Sequence, residues 1–131
     1  MISGGLAQPM FIENQGHLNW RGNLNIVQAS CTFDQLAYHD NLFNDWNISF
    51  PSSVEKAVKK RKAEFLSGRY CLQKALVKLG LDPEPIGIGK LRNPLWPLGV
   101  KGSIRHNNKY AIAVVSLEKI FLVYTRKRYN T

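Results

Sequence analysis

The sequence predicts an α+β fold in which one long helix packs against a small, mostly antiparallel sheet. Three patterns carry this expectation. Residues 52–79 hold apolar side chains at helical spacing, with Phe65, Leu72, Leu76 and Leu79 on one stripe. Residues 24–33 (LNIVQASCTF) alternate in polarity and carry β-branched residues, as a half-buried strand does. Residues 102–106 and 110–116 (YAIAVVS) read as two strands joined through Asn107-Asn108-Lys109, a hairpin signal.

Taken in order, residues 1–22 are polar and glycine-rich and predict an ordered but irregular lead-in, followed by the strand over 24–33. Residues 34–46 predict a short helix or turn region anchored by Tyr38, Phe43 and Trp46, closed by Phe50-Pro51. Ser52-Ser53-Val54-Glu55 has capping-box spacing directly after a proline and opens the main helix. That helix extends to Leu79, with a break near Lys59–Lys60 as an alternative, and Gly80 stands where a left-handed C′ residue is expected. Asp82-Pro83-Glu84-Pro85 ends any helix. Short apolar elements at 86–89, a proline-rich loop over 93–99, the hairpin, an apolar run at 120–124 and a basic tail at 126–129 complete the chain.

The chain has 131 residues, of which 44% are hydrophobic, enough for one domain with its own core. A net charge of +9 favours polyanionic partners: nucleic acid, an anionic membrane or a phosphorylated small molecule. No segment is long and apolar enough to span a bilayer, and the N-terminus lacks the layout of a secretory signal. Two cysteines, Cys31 and Cys71, make neither a disulfide framework nor a metal site, so both are expected reduced and buried in a cytoplasmic protein.

Arg69 falls inside the apolar stripe, four residues after Phe65 and three before Leu72. A guanidinium on a packing face is costly unless an anion meets it, either a buried carboxylate or a phosphate. Arg61 lies eight residues earlier, a net turn of ~80° and a rise of ~12 Å, so the two arginines can flank one groove. Arginine suits oxyanions because its planar fork grips them. The helix lysines 56, 59, 60, 62, 74 and 78 read as a solvated face, and Glu64 as a partner in ordinary surface pairs. Further on, Arg92 precedes a rigid Pro-Leu-Trp-Pro corner, Gly99 and Gly102 permit sharp turns or close approach of a ligand, and His106 ends a strand. Together these predict a phosphate-binding constellation.

The run KRKAEFLSGRYCLQKAL, followed by GKLRNPLWPLGVKGSIRHN, resembles the 4'-phosphopantetheinyl transferases of the enterobactin synthase component D type, over about residues 31–115. The resemblance implies one half of an α+β pseudo-dimer with coenzyme A in the cleft between halves. It also implies transfer of 4'-phosphopantetheine from coenzyme A to a serine of an acyl or peptidyl carrier protein, with magnesium, in enterobactin or other siderophore biosynthesis or another non-ribosomal peptide pathway. By the same resemblance Arg61, Arg69, Arg92 and His106 are the coenzyme-binding residues. Three positions depart from the pattern: Arg105 stands where serine or threonine usually precedes the histidine, Leu91 stands where many relatives carry lysine, and Lys90 stands at an often acidic position.

Family members hold magnesium with carboxylates of a Gly-Ile-Asp-x-Glu strand and a later Trp-x-x-Lys-Glu helix, both beyond the position of Ser116. Here the chain continues LEKIFLVYTRKRYNT, with Glu118 as its one carboxylate. Asp82-Pro83-Glu84 has the Asp-x-Glu spacing but reads as a helix terminator. The expectation is therefore an N-terminal transferase half over 1–116, a divergent basic tail over 117–131, no catalytic carboxylates and no metal ligands. Such a truncated chain is expected to be inactive alone, and either poorly soluble or self-associating through its exposed half-interface. A non-catalytic coenzyme A or partner-binding module is the alternative. A basic nucleic-acid-binding protein ranks below both, because no nucleic-acid motif is present.

Overall fold

The computed structural model describes residues 10–82 and 94–117. Four antiparallel strands form one sheet: β1 (Ile12–Asn19), β2 (Ile26–Phe33), β3 (Val100–His106) and β4 (Tyr110–Leu117), in the order β1-β2-β4-β3. Helices α1 (Asn41–Asp45), α2 (Ser52–Glu55) and α3 (Lys59–Lys78) connect β2 to β3. α3 lies across one face of the sheet, over β2, β4 and β3. This is the α+β arrangement expected, a long helix on a small antiparallel sheet.

Alternation in the two central strands builds that packing face. Val27, Ala29, Cys31 and Phe33 of β2 and Ala111, Ala113 and Val115 of β4 are buried, while their neighbours face the other side. The alanines keep the sheet low, so α3 approaches closely. At Gly68 the approach is close: a methyl group there would sit 2.8 Å from Ile104 Cγ2 of β3.

α3 is buried on more than the one predicted stripe, with every residue from Phe65 to Leu72 enclosed. The sheet covers one side and an aromatic layer the other: Trp46 meets Tyr70 at 4.8 Å between ring centroids, and Phe43 stacks on Phe50 at 4.1 Å. Tyr38 and Phe43 are buried and Trp46 packs on the core, as the anchor reading required.

Local signals at the chain reversals hold. Asn107 Oδ1 accepts from the backbone N–H groups of Lys109 (2.9 Å) and Tyr110 (2.8 Å), so its side chain shapes the hairpin turn. Gly80 has φ +83, and the N–H of Leu81 reaches back to the carbonyl of Leu76 at 3.0 Å. With Gly80 N–H on Val77 O, this is a Schellman ending.

Three expectations need correction. Part of the irregular lead-in is strand β1, paired with β2 along Ile12–Asn19 through a register shift near Ile12. The main helix is not continuous from residue 52, because Lys56 to Val58 separate α2 from α3 and the break falls just before Lys59. The capping box is not used, because Pro51 is the N-cap and its carbonyl accepts from Val54 and Glu55; Ser52 is already helical. Cys31 and Cys71 are free and buried, with their sulfurs 3.3 Å apart. Donation of its S–H to Cys31, and then burial, push the Cys71 thiol up, so it stays protonated. Residues 1–9, 83–93 and 118–131, including the elements expected at 86–89, at 120–124 and in the basic tail, lie outside the described residues.

Candidate functional site

A cleft of about 330 Å³ opens between the first half of α3 and strand β3. α3 supplies Arg61, Phe65 and Arg69, spaced by four residues so that they rise along one face, with Gly68 beside them. β3 supplies Gly102, Ser103, Ile104 and His106, and the corner before it supplies Pro94 and Trp96. Three of the four residues expected to bind the coenzyme, Arg61, Arg69 and His106, therefore line one space although 45 positions of sequence separate the first from the last. Arg92 lies outside the described residues.

Arg69 is 6% exposed, and burial lowers its pKa. Its guanidinium carbon sits 5.1 Å from the centroid of the Phe65 ring one turn earlier. That contact lays the cation against an aromatic face at the cleft wall. A desolvated cation facing a concave space is electrostatically primed for an anion, because an anion arriving there interacts through little water.

His106 ends β3 with its ring turned toward α3. Its Nδ1 lies 3.9 Å from Glu64 Oε1, and its Cδ2 would be 3.7 Å from a methyl group at Gly68. The ring thus spans one helical turn. Glu64 was expected in ordinary surface pairs with lysines; instead its side chain is 14% exposed and faces this histidine.

The opposite wall carries an indole. Trp96 packs on the Cα of Gly102, where a methyl group would meet its Cη2 at 2.7 Å and the Val114 carbonyl oxygen at 2.8 Å. What approaches Gly102 so closely is this indole, which stands in for the ligand contact that glycine suggested. Gly99 has φ +81 and makes the turn into β3. Arg105, the departure next to His106, alternates to the other face of the strand, opposite Ile112, and is exposed. It does not intrude on the cleft. The departures at Leu91 and Lys90 lie outside the described residues.

The lysines are not all solvated. Lys62 lies 3.4 Å from Asp40 and 5.7 Å from the centroid of the Phe50 ring, so it braces α3 against the preceding loop. The hydroxyl of Tyr38 donates to Asp40 at 2.8 Å, and that bond, with Lys62, holds the Asp40 carboxyl below the usual carboxylate range.

Magnesium takes hard oxygen ligands, usually one or two carboxylates with waters. Beside the cleft, but not among the residues that line it, Glu64 is directed at His106. Among the described residues no group of three or more histidine, cysteine or acidic side chains is placed to hold a metal ion. These residues do not fit a magnesium site. Among the described residues no helix is long and apolar enough to cross a membrane.

Residues 50–116, just over half of the chain, match the family described as the 4'-phosphopantetheinyl transferase N-terminal domain. The chain is 39% identical over 88 residues to enterobactin synthase component D of Salmonella typhi, covering 67% of this chain and 36% of that protein. It is 37% identical over 94 residues to the 4'-phosphopantetheinyl transferase PptT of Mycobacterium tuberculosis, covering 68% of this chain and 41% of that protein. Against the 4'-phosphopantetheinyl transferase Npt of Nocardia iowensis it is 41% identical over 63 residues, 48% of this chain and 28% of that protein. The chain therefore spans well under half the length of these curated relatives. The matched segment contains α2, α3, β3 and nearly all of β4, hence both walls of the cleft. The chain belongs to the 4'-phosphopantetheinyl transferase N-terminal domain family, a family of transferases.

Proposed function

We propose that this chain is the coenzyme-gripping half of a 4'-phosphopantetheinyl transferase. Coenzyme A binds in the cleft with its phosphates, the 3'-phosphate among them, on Arg61, Arg69 and His106, and Arg92 adds a further charge from the adjoining loop. The observation that supports this most directly is the convergence of Arg61, Arg69 and His106 on one partly apolar cleft. Multiply charged phosphates need guanidinium forks and a positive field. The wall of Phe65 and Trp96 supplies apolar surface for the non-phosphate part of the ligand.

In the whole reaction a carrier-protein serine oxygen attacks the pantetheine-side phosphorus of coenzyme A. A phosphodiester forms to serine, and 3',5'-ADP leaves. Phosphoryl transfer of this kind depends on positioning and charge neutralisation, and bound magnesium supplies much of the latter. The part proposed for this chain's residues is to hold and orient the departing nucleotide end. The metal-binding carboxylates and the rest of the carrier-protein site are assigned to a second half. A siderophore or other non-ribosomal peptide pathway, in the cytoplasm, is the setting this proposal implies.

Calorimetry with coenzyme A and with 3'-dephospho-coenzyme A tests the grip. The expected result is tighter binding of coenzyme A by at least roughly tenfold, the value of one charge-assisted contact set. Equal affinities would remove the 3'-phosphate from the cleft. A carrier-protein modification assay with magnesium tests the division of labour. The purified chain alone is expected to give no turnover, and clear turnover would overturn the assignment of the carboxylates to a second half.

A further inference from the structure

Glu64 sets an electrostatic puzzle for the proposed site. A carboxylate beside an anion-binding cleft repels the ligand and should weaken binding. Here it is largely enclosed, its side chain 14% exposed, and it faces the one cationic candidate that has two alternative nitrogens. The geometry points to Glu64 as a positioning residue for His106: it accepts from Nδ1–H, and in the complex the doubly protonated ring gives its Nε2–H to a phosphate oxygen of the ligand.

Three observations carry this. Glu64 Oε1 and His106 Nδ1 are 3.9 Å apart, within ion-pair range and about 1 Å longer than a hydrogen bond, so a small ring movement closes the contact. The other edge of the ring is confined by α3, since Cδ2 lies over Gly68, one turn beyond Glu64. The helix therefore fixes both the tilt of the ring and the nitrogen that meets the carboxylate. Finally, a neutral imidazole donates from one nitrogen only, so a carboxylate on Nδ1–H and a phosphate on Nε2–H together call for the ring with both protons, and the carboxylate favours that form in the complex. The inference rests on the proposal that the cleft binds coenzyme A phosphates.

The sign of the effect makes the test decisive. If Glu64 acted only as a charge, Glu64→Ala would tighten coenzyme A binding. As a positioning residue, Glu64→Ala weakens it, roughly fivefold or more, the size of a coupling between contacting residues. Glu64→Gln falls in between, because the amide oxygen still accepts from Nδ1–H without the charge. In a His106→Ala background, where Arg61 and Arg69 still bind, Glu64→Ala is expected to leave affinity unchanged or to tighten it. Calorimetry on the four proteins reads this cycle. Tightening in both backgrounds, or equal weakening in both, overturns the inference.

A second readout needs no ligand. Ring nitrogen chemical shifts of His106 above neutral pH are expected to report proton occupancy at Nδ1 in the wild type and a shift toward Nε2 in Glu64→Ala. An unchanged tautomer also overturns the inference. A wild-type protein that does not bind coenzyme A sinks the functional proposal itself, and the ring-nitrogen result then still decides whether Glu64 positions the histidine.

Discussion

Replacing Arg69 with methionine is expected to weaken coenzyme A binding by about a hundredfold or more. The estimate assumes two charge-assisted hydrogen bonds from one guanidinium fork, each worth about 1.5–3 kcal/mol where water is scarce, with 1.4 kcal/mol per factor of ten. Arg69 is nearly enclosed, and its burial disfavours the cation, so a phosphate that reaches it interacts through little water. Methionine keeps an unbranched chain that can still lie against Phe65, and removes charge and fork together. Arg69→Lys should recover part of the affinity, because an ammonium restores charge without the bidentate geometry. Calorimetry checks both variants, with circular dichroism to confirm the fold. An affinity within about threefold of the wild type in Arg69→Met would show that this guanidinium serves the core and not the ligand.

The second large effect is expected at Gly102. Alanine there places a methyl group 2.7 Å from Trp96 and 2.8 Å from the carbonyl oxygen of Val114. The indole can swing aside, but a backbone oxygen in the neighbouring strand cannot without disturbing the β3–β4 ladder, in which Gly102 lies opposite Val115. Overpacking of this kind costs about 1–3 kcal/mol. Two readouts should move together: a lower midpoint in chemical denaturation, and weaker coenzyme A binding because the Trp96 wall has shifted. A variant with wild-type stability and affinity would show that neither the indole nor the strand is seated as described.

Legibility in the sequence followed the range of the interaction. The hairpin was readable because Asn107 closes it with its own side chain, and the end of α3 because Gly80 takes a left-handed φ that few other residues adopt. Strand β2 was readable because it is central and half-covered, which imposes strict alternation. Strand β1 was not. It is an edge strand whose IENQGHLN has one buried residue, Ile12, so it is held by backbone pairing to β2 and leaves almost no trace in polarity. The gap between α2 and α3 was legible only as an alternative, a break near Lys59–Lys60, since Lys56 to Val58 include no glycine or proline. At the site, Arg61, Arg69 and His106 could be picked out by type and spacing. Glu64 could not, because an acidic residue among lysines reads as surface until a strand 42 positions later brings a histidine against it.

The sequence by itself determined the α+β class, the positions of β2, α3 and the β3–β4 hairpin, and the membership suggested by two ordered motifs, because each is written in residues near one another along the chain. It also marked Arg69 as out of place on its helix. Tertiary structure alone decided that the helix arginines and the strand histidine share one cleft, that Trp96 walls it against Gly102, and that Glu64 faces His106. Those are contacts between segments distant in sequence. Their distances are set by how closely α3 can settle on a sheet of alanines, and no local pattern encodes that separation.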